Sequence, residues 1–160
     1  MEQEIKEKIG IYKKELSDEL SRILTFWSEN TVDEVNGGFY GRIDNDNQII
    51  PGSPKGSVLN ARILWTFSAA FNYDPAQAYL DKASRAYRYI VDHFIDKEHG
   101  GVYWSVNYHG DPLDTKKQVY AIAFTIYALS EYYRASGTET AKQHADFVFI
   151  AVVPTQENFH

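Results

Sequence analysis

The stretch NGGFYGRID at residues 36–44 returns as HGGVYWSVN at residues 99–107. The two copies are 63 residues apart, since 99 − 36 = 63, and the same offset relates residues 31–33 to residues 94–96. Each copy is followed by turn-forming residues and then by a long apolar segment. A self-similar unit of this length is typical of repeat architectures, in which neighbouring units bury each other's apolar faces.

Length and composition predict one domain over residues 1–160. The net charge of −6 disfavours binding to nucleic acid or to an anionic membrane surface. The chain has no cysteine, which excludes disulfides and thiolate metal sites. Residues 1–14 lack the apolar core of a signal peptide, and no run of about 18 apolar residues is present. A cytoplasmic location is therefore expected.

Aromatic residues make up 15% of the chain, and their abundance has two interpretations. Such rings fill space between packed helices, or they line a sugar-binding cleft by stacking on the apolar faces of pyranoses. Composition alone leaves both interpretations open.

Three segments carry the alternating pattern of an amphipathic helix. Residues 2–28 place an apolar residue every three or four positions, which predicts a helix with one buried face. A second amphipathic helix is predicted to run to about residue 93, with Asp74 as its N-cap before Pro75. Thr138 is the candidate cap of a third.

Two further segments are apolar nearly all round. Residues 57–71 contain Arg62 as their only charge, and a helix of this kind is buried on all sides or lines a cavity. Asp114 and Thr115 are candidate caps for the other apolar helix, which is predicted to end at Gly137.

The order of helices is amphipathic, apolar, amphipathic, apolar, amphipathic, which predicts stacked helical hairpins with inner and outer layers. Such hairpins form either a solenoid or a closed α/α toroid. The Gly-Gly segments are then connectors from outer to inner helices at one end of the ring, and their glycines are expected at positive φ.

Four motifs together resemble the N-terminal part of cellobiose 2-epimerases, within the N-acylglucosamine 2-epimerase superfamily. They are GGFYGR at 37–42, LNARILWTFS at 59–68, YWS at 103–105 and DTKKQVYAIAF at 114–124. The motifs match in order and spacing, and the similarity extends over roughly residues 24–137.

The resemblance implies an all-α, six-hairpin (α/α)6 toroid with a central sugar pocket, acting without a cofactor. Its members invert C2 of the reducing-end residue of cellobiose, lactose or related sugars through an enediolate, with two histidines moving the proton. The resemblance implies that Arg62 is the arginine that stabilises the oxyanion and that Tyr120 lines the pocket. A lone guanidinium on an apolar helix is independently costly unless an anionic group is presented to it.

Each candidate site residue also has a structural interpretation. Arg62 is alternatively the ion-pair partner of a carboxylate from a neighbouring hairpin, and Tyr120 alternatively fills space between helices. Trp65 and Phe124 are either core residues or sugar platforms. Asn60, beside the arginine, is the remaining candidate for substrate binding.

The repeat length also predicts that much of the ring is missing. Six units of this size need roughly 380 residues, so the chain holds about two and a half hairpins. The family's catalytic histidines are expected in the absent hairpins, and the sequence after about residue 145 departs from the family pattern. We therefore expect an N-terminal fragment, inactive alone and prone to self-association, of an enzyme that is monomeric when complete.

No metal site is expected. The five histidines do not have metal-ligand spacing, and His99 and His109 fall in predicted loops. Asp44 and Asp46 suggest a calcium loop, but its glycine and terminal glutamate are absent, so a hairpin or irregular turn is predicted there.

The alternatives within the isomerases are an N-acylglucosamine 2-epimerase or an aldose–ketose isomerase on the same fold. Two other classes of function also remain open. A glycoside hydrolase on the same toroid needs paired carboxylates at inner-helix ends, and the inner helices offer none before Glu131. A non-catalytic helical-repeat module that binds sugar or another partner on its concave face is the other alternative.

Overall fold

Five α-helices form most of the chain in the computed structural model, which describes residues 1–151. The predicted succession of helices is confirmed, and the described part of the chain is mainly helical. The helices are α1 (Glu2–Asn30), α2 (Ser57–Tyr73), α3 (Gln77–Tyr89), α4 (Val119–Ser136) and α5 (Glu139–Ile150). None of these helices combines the length and the apolar character that a membrane crossing requires.

Helix α1 belongs to a unit of its own, Met1–Val32, and the second unit begins at Asp33. The helix is confirmed, but the prediction of one buried face is wrong, because Leu24 is its only buried residue. An apolar stripe shows that a helix needs a partner surface, and it does not show that the chain supplies one. The exposed members of the stripe are Ile5, Ile9, Tyr12, Leu16, Leu20 and Ile23.

In the second unit, the two apolar helices α2 and α4 pack against each other. The ring of Trp65 stacks on that of Tyr127, and further along both helices the Asn72 side chain donates to Glu131 at 2.7 Å. Since both contacts advance in the same direction, the two helices run parallel. Outside them, α3 packs on α2 and α5 packs on α4. This arrangement gives the predicted inner and outer layers.

Small and aromatic side chains alternate in the core of this unit. Alanines allow the inner helices to approach closely, while larger side chains fill the remaining space at the density of a protein interior. The fully buried side chains of α2 and α4 include Ala61, Leu64, Phe67, Ala121, Ile122, Ala128 and Leu129.

A small antiparallel sheet lies between the helices in sequence and was not predicted. Its strands are β1 (Lys55–Gly56), β2 (Ser105–Val106) and β3 (Pro112–Asp114), in that order. Strands of two or three residues are too short to show the alternation from which a strand is predicted.

Two of the predicted helix starts are wrong. Asp74 ends α2, donating its N–H to the Ala70 carbonyl, and Ala76 occupies the N-cap of α3. Asp114 lies in β3, so α4 begins later, with Gln118 at its N-cap. Asp74 is taken by the last turn of the preceding helix, and Asp114 pairs with Ser105 of β2, so neither is free to cap the helix that its local sequence signal favours.

Other boundary predictions are confirmed. Gly137 ends α4 in the left-handed conformation at φ 67°, and Thr138 occupies the N-cap of α5. Helix α3 runs on into a π-helical turn, Ile90–Phe94, which ends close to the predicted residue 93. Residues 44–47 form a tight turn beneath an antiparallel bridge between Ile43 and Ile49.

The two Gly-Gly segments fold alike. All four glycines have positive φ, between 61° and 76°, as predicted. In the first copy the Asp33 N–H donates to the Gly38 carbonyl at 3.2 Å, and in the second the Asp96 N–H donates to Gly101 at 3.1 Å. The sequence repeat is therefore also a structural repeat. The predicted departure from the family after residue 145 falls partly on residues 152–160, outside the described residues.

Candidate functional site

The candidate residues lie near the starts of the two parallel inner helices. The first residue of α2, Ser57, donates both its N–H and its hydroxyl to the Trp104 carbonyl, at 3.1 and 3.0 Å. Trp104 in turn donates its N–H to the Asp114 carbonyl at 2.9 Å. The loop after the second Gly-Gly segment is thereby fixed to the beginning of α2.

Arg62 lies in the second turn of α2 and its side chain is exposed. No carboxylate within residues 1–151 forms an ion pair with it. The structural interpretation, a paired guanidinium, thus finds no partner in the described part of the chain. An exposed cation on a helix otherwise free of charge is available to a ligand.

Trp65 lies one turn after Arg62, on the same side of α2. Its ring stacks on Tyr127 of α4 with centroids 5.3 Å apart and planes 17° apart. Its indole Nε1 is buried and has no acceptor among the described residues. One face of the Trp65 ring is thus used in packing α2 on α4, which places Tyr127 next to the arginine-bearing side of α2.

One side of α4 is exposed, so this helix is not covered on every side. We call this side the open face of α4. Of the two interpretations of an all-apolar helix, burial on all sides or lining of a cavity, the open face favours the second. Its exposed residues, three or four positions apart, are Tyr120, Ala123, Tyr127 and Ser130.

Tyr120 is 60% exposed, which does not fit a residue that fills space between helices. Its ring lies 4.7 Å from that of Phe124, at an angle of 54°, and Phe124 is half-buried. Tyr127, 54% exposed, extends the same aromatic row and was missed in the sequence. Its position seven residues after Tyr120 is the signal that identifies it.

Asn60 is buried and used within its own helix. Its Nδ2 donates to the Gly56 carbonyl at 2.9 Å, while its Oδ1 has no partner among the described residues. The structure thus brings together Trp65 with Tyr127 and Tyr120 with Phe124, whereas no hydrogen bond in residues 1–151 joins Arg62 or Asn60 to the other candidates.

Two lysine–aspartate pairs near the helix starts were not predicted. Lys55 Nζ lies 2.8 Å from Asp33 Oδ2 with both side chains about 1% exposed, and Lys117 Nζ lies 2.7 Å from Asp96 Oδ2. A sequence signal for these pairs exists. The two aspartates share the repeat offset, and a lysine lies two residues before each inner helix.

The electrostatics of these pairs favour ionised carboxylates. Burial opposes the charge on Asp33, but the Lys55 ammonium and the Asn36 amide outweigh it and hold the pKa below its usual range. The Lys117 ammonium and two backbone amides hold the pKa of Asp96 well below its usual range. Burial raises the pKa of Tyr89, whose ring lies against Lys55, to about 12.

The histidines of the described segment lie apart from the open face in different settings. His99 has a side chain 71% exposed and His109 is exposed, as predicted for loop positions. His93 Nδ1 contacts the Gly110 carbonyl at 3.1 Å, and His144 contacts the Tyr87 hydroxyl at 2.9 Å. No group of three or more His, Asp or Glu residues in residues 1–151 is arranged to hold a metal ion.

Comparison with known proteins identifies relatives of this chain. The family model described as N-acylglucosamine 2-epimerase (GlcNAc 2-epimerase) matches residues 38–158. A cellobiose 2-epimerase from Bacteroides fragilis is 54% identical over 140 residues, which cover 87% of this chain and 36% of the relative. Another cellobiose 2-epimerase, from Ruminococcus albus, is 45% identical over 133 residues, covering 83% and 33%. The chain thus spans about a third of the length of the curated relatives it matches.

Solved structures agree in fold. The cellobiose 2-epimerase from Bacillus thermoamylovorans superposes with a TM-score of 0.86 at 38% identity, over 89% of this chain and 37% of that one. An α-1,6-mannanase from Salegentibacter superposes with a TM-score of 0.72 at 19% identity, over 96% and 45%. The second likeness shows the fold alone, because one helical architecture carries different chemistries.

Proposed function

The chain belongs to the N-acylglucosamine 2-epimerase family, and from that membership we propose that it supplies one wall of a cellobiose 2-epimerase type of site. The substrate assigned is the reducing-end glucose of cellobiose, lactose or a related disaccharide. One observation carries this proposal: the exposed guanidinium of Arg62 is the only charge on a packed inner helix, and Trp65, one turn further along that helix, stacks on the exposed Tyr127 of α4.

The proposed chemistry begins with the open-chain form of the sugar. The proton on C2 is acidic because the neighbouring C1 is an aldehyde carbon. Removal of this proton gives an enediolate with negative charge on O1 and O2, and return of a proton to the opposite face of C2 inverts that carbon. No atom is gained or lost overall.

In this scheme Arg62 stabilises the enediolate. A guanidinium presents several N–H donors in a fixed plane, which suits the two adjacent oxygens of an enediolate. A positive charge that is already in place stabilises the negative charge that develops in the transition state. Such electrostatic preorganisation is usually the largest catalytic contribution. The two proton transfers are assigned to groups in the part of the relatives' length that this chain does not match.

The open face of α4 is proposed to contact the sugar ring. Tyr120 and Tyr127 present exposed aromatic surface on this face, with half-buried Phe124 beside Tyr120. Aromatic rings of this kind stack on the apolar C–H face of a pyranose, and a tyrosine hydroxyl can donate to or accept from its alcohols.

Deuterium incorporation tests the proposal. We would prepare a chimera in which the matching 140 residues of this chain replace those of the Bacteroides fragilis cellobiose 2-epimerase. The expected result is incorporation of deuterium at C2 of cellobiose in D₂O together with formation of the C2 epimer. The unmodified Bacteroides fragilis enzyme is the reference for rate.

Two results would contradict the proposed function. The first is a chimera whose circular dichroism and thermal transition match those of the parent enzyme but which incorporates no deuterium. The second is deuterium transfer that yields a ketose as the main product, since that result identifies an aldose–ketose isomerase that delivers the proton to C1.

A further inference from the structure

The two lysine–aspartate pairs occupy equivalent places relative to the inner helices, with the aspartates 63 residues apart and the lysines 62. Lys55 precedes the first residue of α2, Ser57, by two positions, and Lys117 precedes the first residue of α4, Val119, by two positions. Each lysine reaches back to the aspartate that opens the preceding Gly-Gly turn. Because the pair recurs before both inner helices, we interpret it as a structural feature of the repeat unit.

Each aspartate is also built into its own turn. Asp33 Oδ1 accepts the N–H groups of Val35 and Asn36 at 3.1 and 2.8 Å. In the second copy Asp96 Oδ1 accepts the equivalent amides, those of Glu98 and His99, both at 3.0 Å. One carboxylate oxygen therefore holds the turn while the other holds the lysine, so each ion pair joins a Gly-Gly turn to the start of an inner helix.

Further contacts hold the first lysine in a single place. Lys55 Nζ donates to the Gly37 carbonyl at 2.7 Å and lies 4.7 Å from the centre of the Tyr89 ring. The second lysine has the same kind of aromatic contact, since Lys117 Nζ lies 4.2 Å from the centre of the Tyr103 ring. Fixed acceptors and a covering ring leave each ammonium little freedom to move.

We propose that Lys55 and Lys117 are positioning residues, which fix the starts of α2 and α4 and thereby the placement of Arg62 and Tyr120. This role rests on the proposed function, in which those two residues meet the sugar. Arg62 lies five residues after the first residue of α2, and Tyr120 directly follows the first residue of α4. A helix is stiff over such distances, so a displacement of its first turn displaces the side chains of the next.

A buried ion pair is a weak source of net stability, since removing two charges from water offsets most of their attraction. An apolar pair of the same size would pack the loop to the helix equally well. A charged hydrogen bond between lysine and aspartate also fixes the distance and direction between the Gly-Gly turn and the start of the helix. A contact that positions the helix requires this property.

Amide hydrogen exchange by mass spectrometry on the full chain tests this role. In Lys55→Met, exchange in residues 57–63 is expected to rise about tenfold or more, while residues 119–125 keep the wild-type rate. Lys117→Met is the matched control and is expected to show the reverse pattern. Amide exchange requires no reaction, so failure of the proposed function leaves this result intact.

A double variant covers the case in which Lys55→Met fails to fold because Asp33 is left charged and unpaired. Asp33→Asn with Lys55→Met removes both charges, and faster exchange confined to residues 57–63 is again expected. Equal acceleration in both inner helices would overturn the proposal, because it identifies a contribution to global stability alone. Wild-type exchange at residues 57–63 in the folded double variant would also overturn it.

Discussion

At the scale of single residues, glycines at positive φ form the two Gly-Gly turns, while Arg62, Tyr120 and Tyr127 form the exposed part of the candidate site. Positive φ at the four repeat glycines follows from their pairing in turn-rich segments, and it is confirmed. The cap at Asp74 was wrong because its N–H ends α2 by binding the Ala70 carbonyl. Tyr127 was missed although it lies seven residues after Tyr120, on the same side of α4, and its exposure confirms that shared side. The roles of Arg62 and Tyr120 stay predictions.

A substitution at Gly38 tests whether the close packing of Tyr89 on the Gly-Gly turn requires glycine. A Cβ at this position would lie 2.6 Å from the Tyr89 ring, and the backbone has φ of 61°. Gly38→Ala is expected to lower the free energy of unfolding by about 2–4 kcal/mol, through strain and overpacking together. Urea denaturation monitored by circular dichroism measures the change.

Gly52→Ala is the matched control, because its φ of 77° carries the same backbone strain while no atom lies within 4 Å of the added Cβ. Its expected cost is about 1–2 kcal/mol. Equal costs for the two variants would show that the close approach of Tyr89 to the Gly-Gly turn contributes nothing.

Among the elements, helices were predictable and strands were not. Long segments carry enough apolar residues to reveal both their period and their inner or outer position, which is how α2 and α4 were recognised as inner helices. The three strands have two or three residues each and are set by partners distant in sequence, such as Lys55 opposite Val106. The lysine–aspartate pairs at the helix starts likewise join residues distant in sequence.

The Asp96–Lys117 pair at the start of α4 predicts acid sensitivity. The pKa of Asp96 in the folded chain lies below its unfolded value, chiefly through the Lys117 hydrogen bond. A depressed pKa contributes stability that is present above the unfolded value of about 3.9 and is lost as the pH falls toward the folded value. The free energy of unfolding is therefore expected to fall steeply below pH ~4.

Asp96→Asn is expected to be less stable than wild type at neutral pH and to lose less stability on acidification. Chemical denaturation at several pH values measures both effects, with the exposed Asp146→Asn as the control. An Asp96→Asn variant whose loss of stability on acidification equals that of wild type would refute the assignment.

At the scale of the whole molecule, the repeat predicted both the architecture and its incompleteness. The chain belongs to a family whose curated relatives are about three times as long as the part it matches. The apolar stripe of α1 and the open face of α4 both remain exposed. The exposure of these surfaces was not predictable from periodicity, because a pattern indicates which face is apolar and not whether a partner surface is present.

Exposed apolar surface of this extent is expected to bind 1-anilinonaphthalene-8-sulfonate and to promote self-association. Leu16→Glu, in the centre of the α1 stripe, should reduce dye fluorescence and shift sedimentation toward the monomer. Ser17→Glu adds the same charge beside the stripe and should leave both unchanged. A monodisperse wild-type monomer without dye binding would contradict this expectation.

The most direct measurement of the central claim is the rate of C2 deuterium incorporation into cellobiose by Arg62 variants of the chimera. Arg62→Met is expected to lower this rate about a hundredfold or more, because the charge that stabilises the enediolate is lost. Arg88→Met, at an exposed position on outer helix α3, is expected to keep the rate of the unsubstituted chimera. A folded Arg62→Met chimera that exchanges C2 hydrogen as fast as Arg88→Met would contradict the claim.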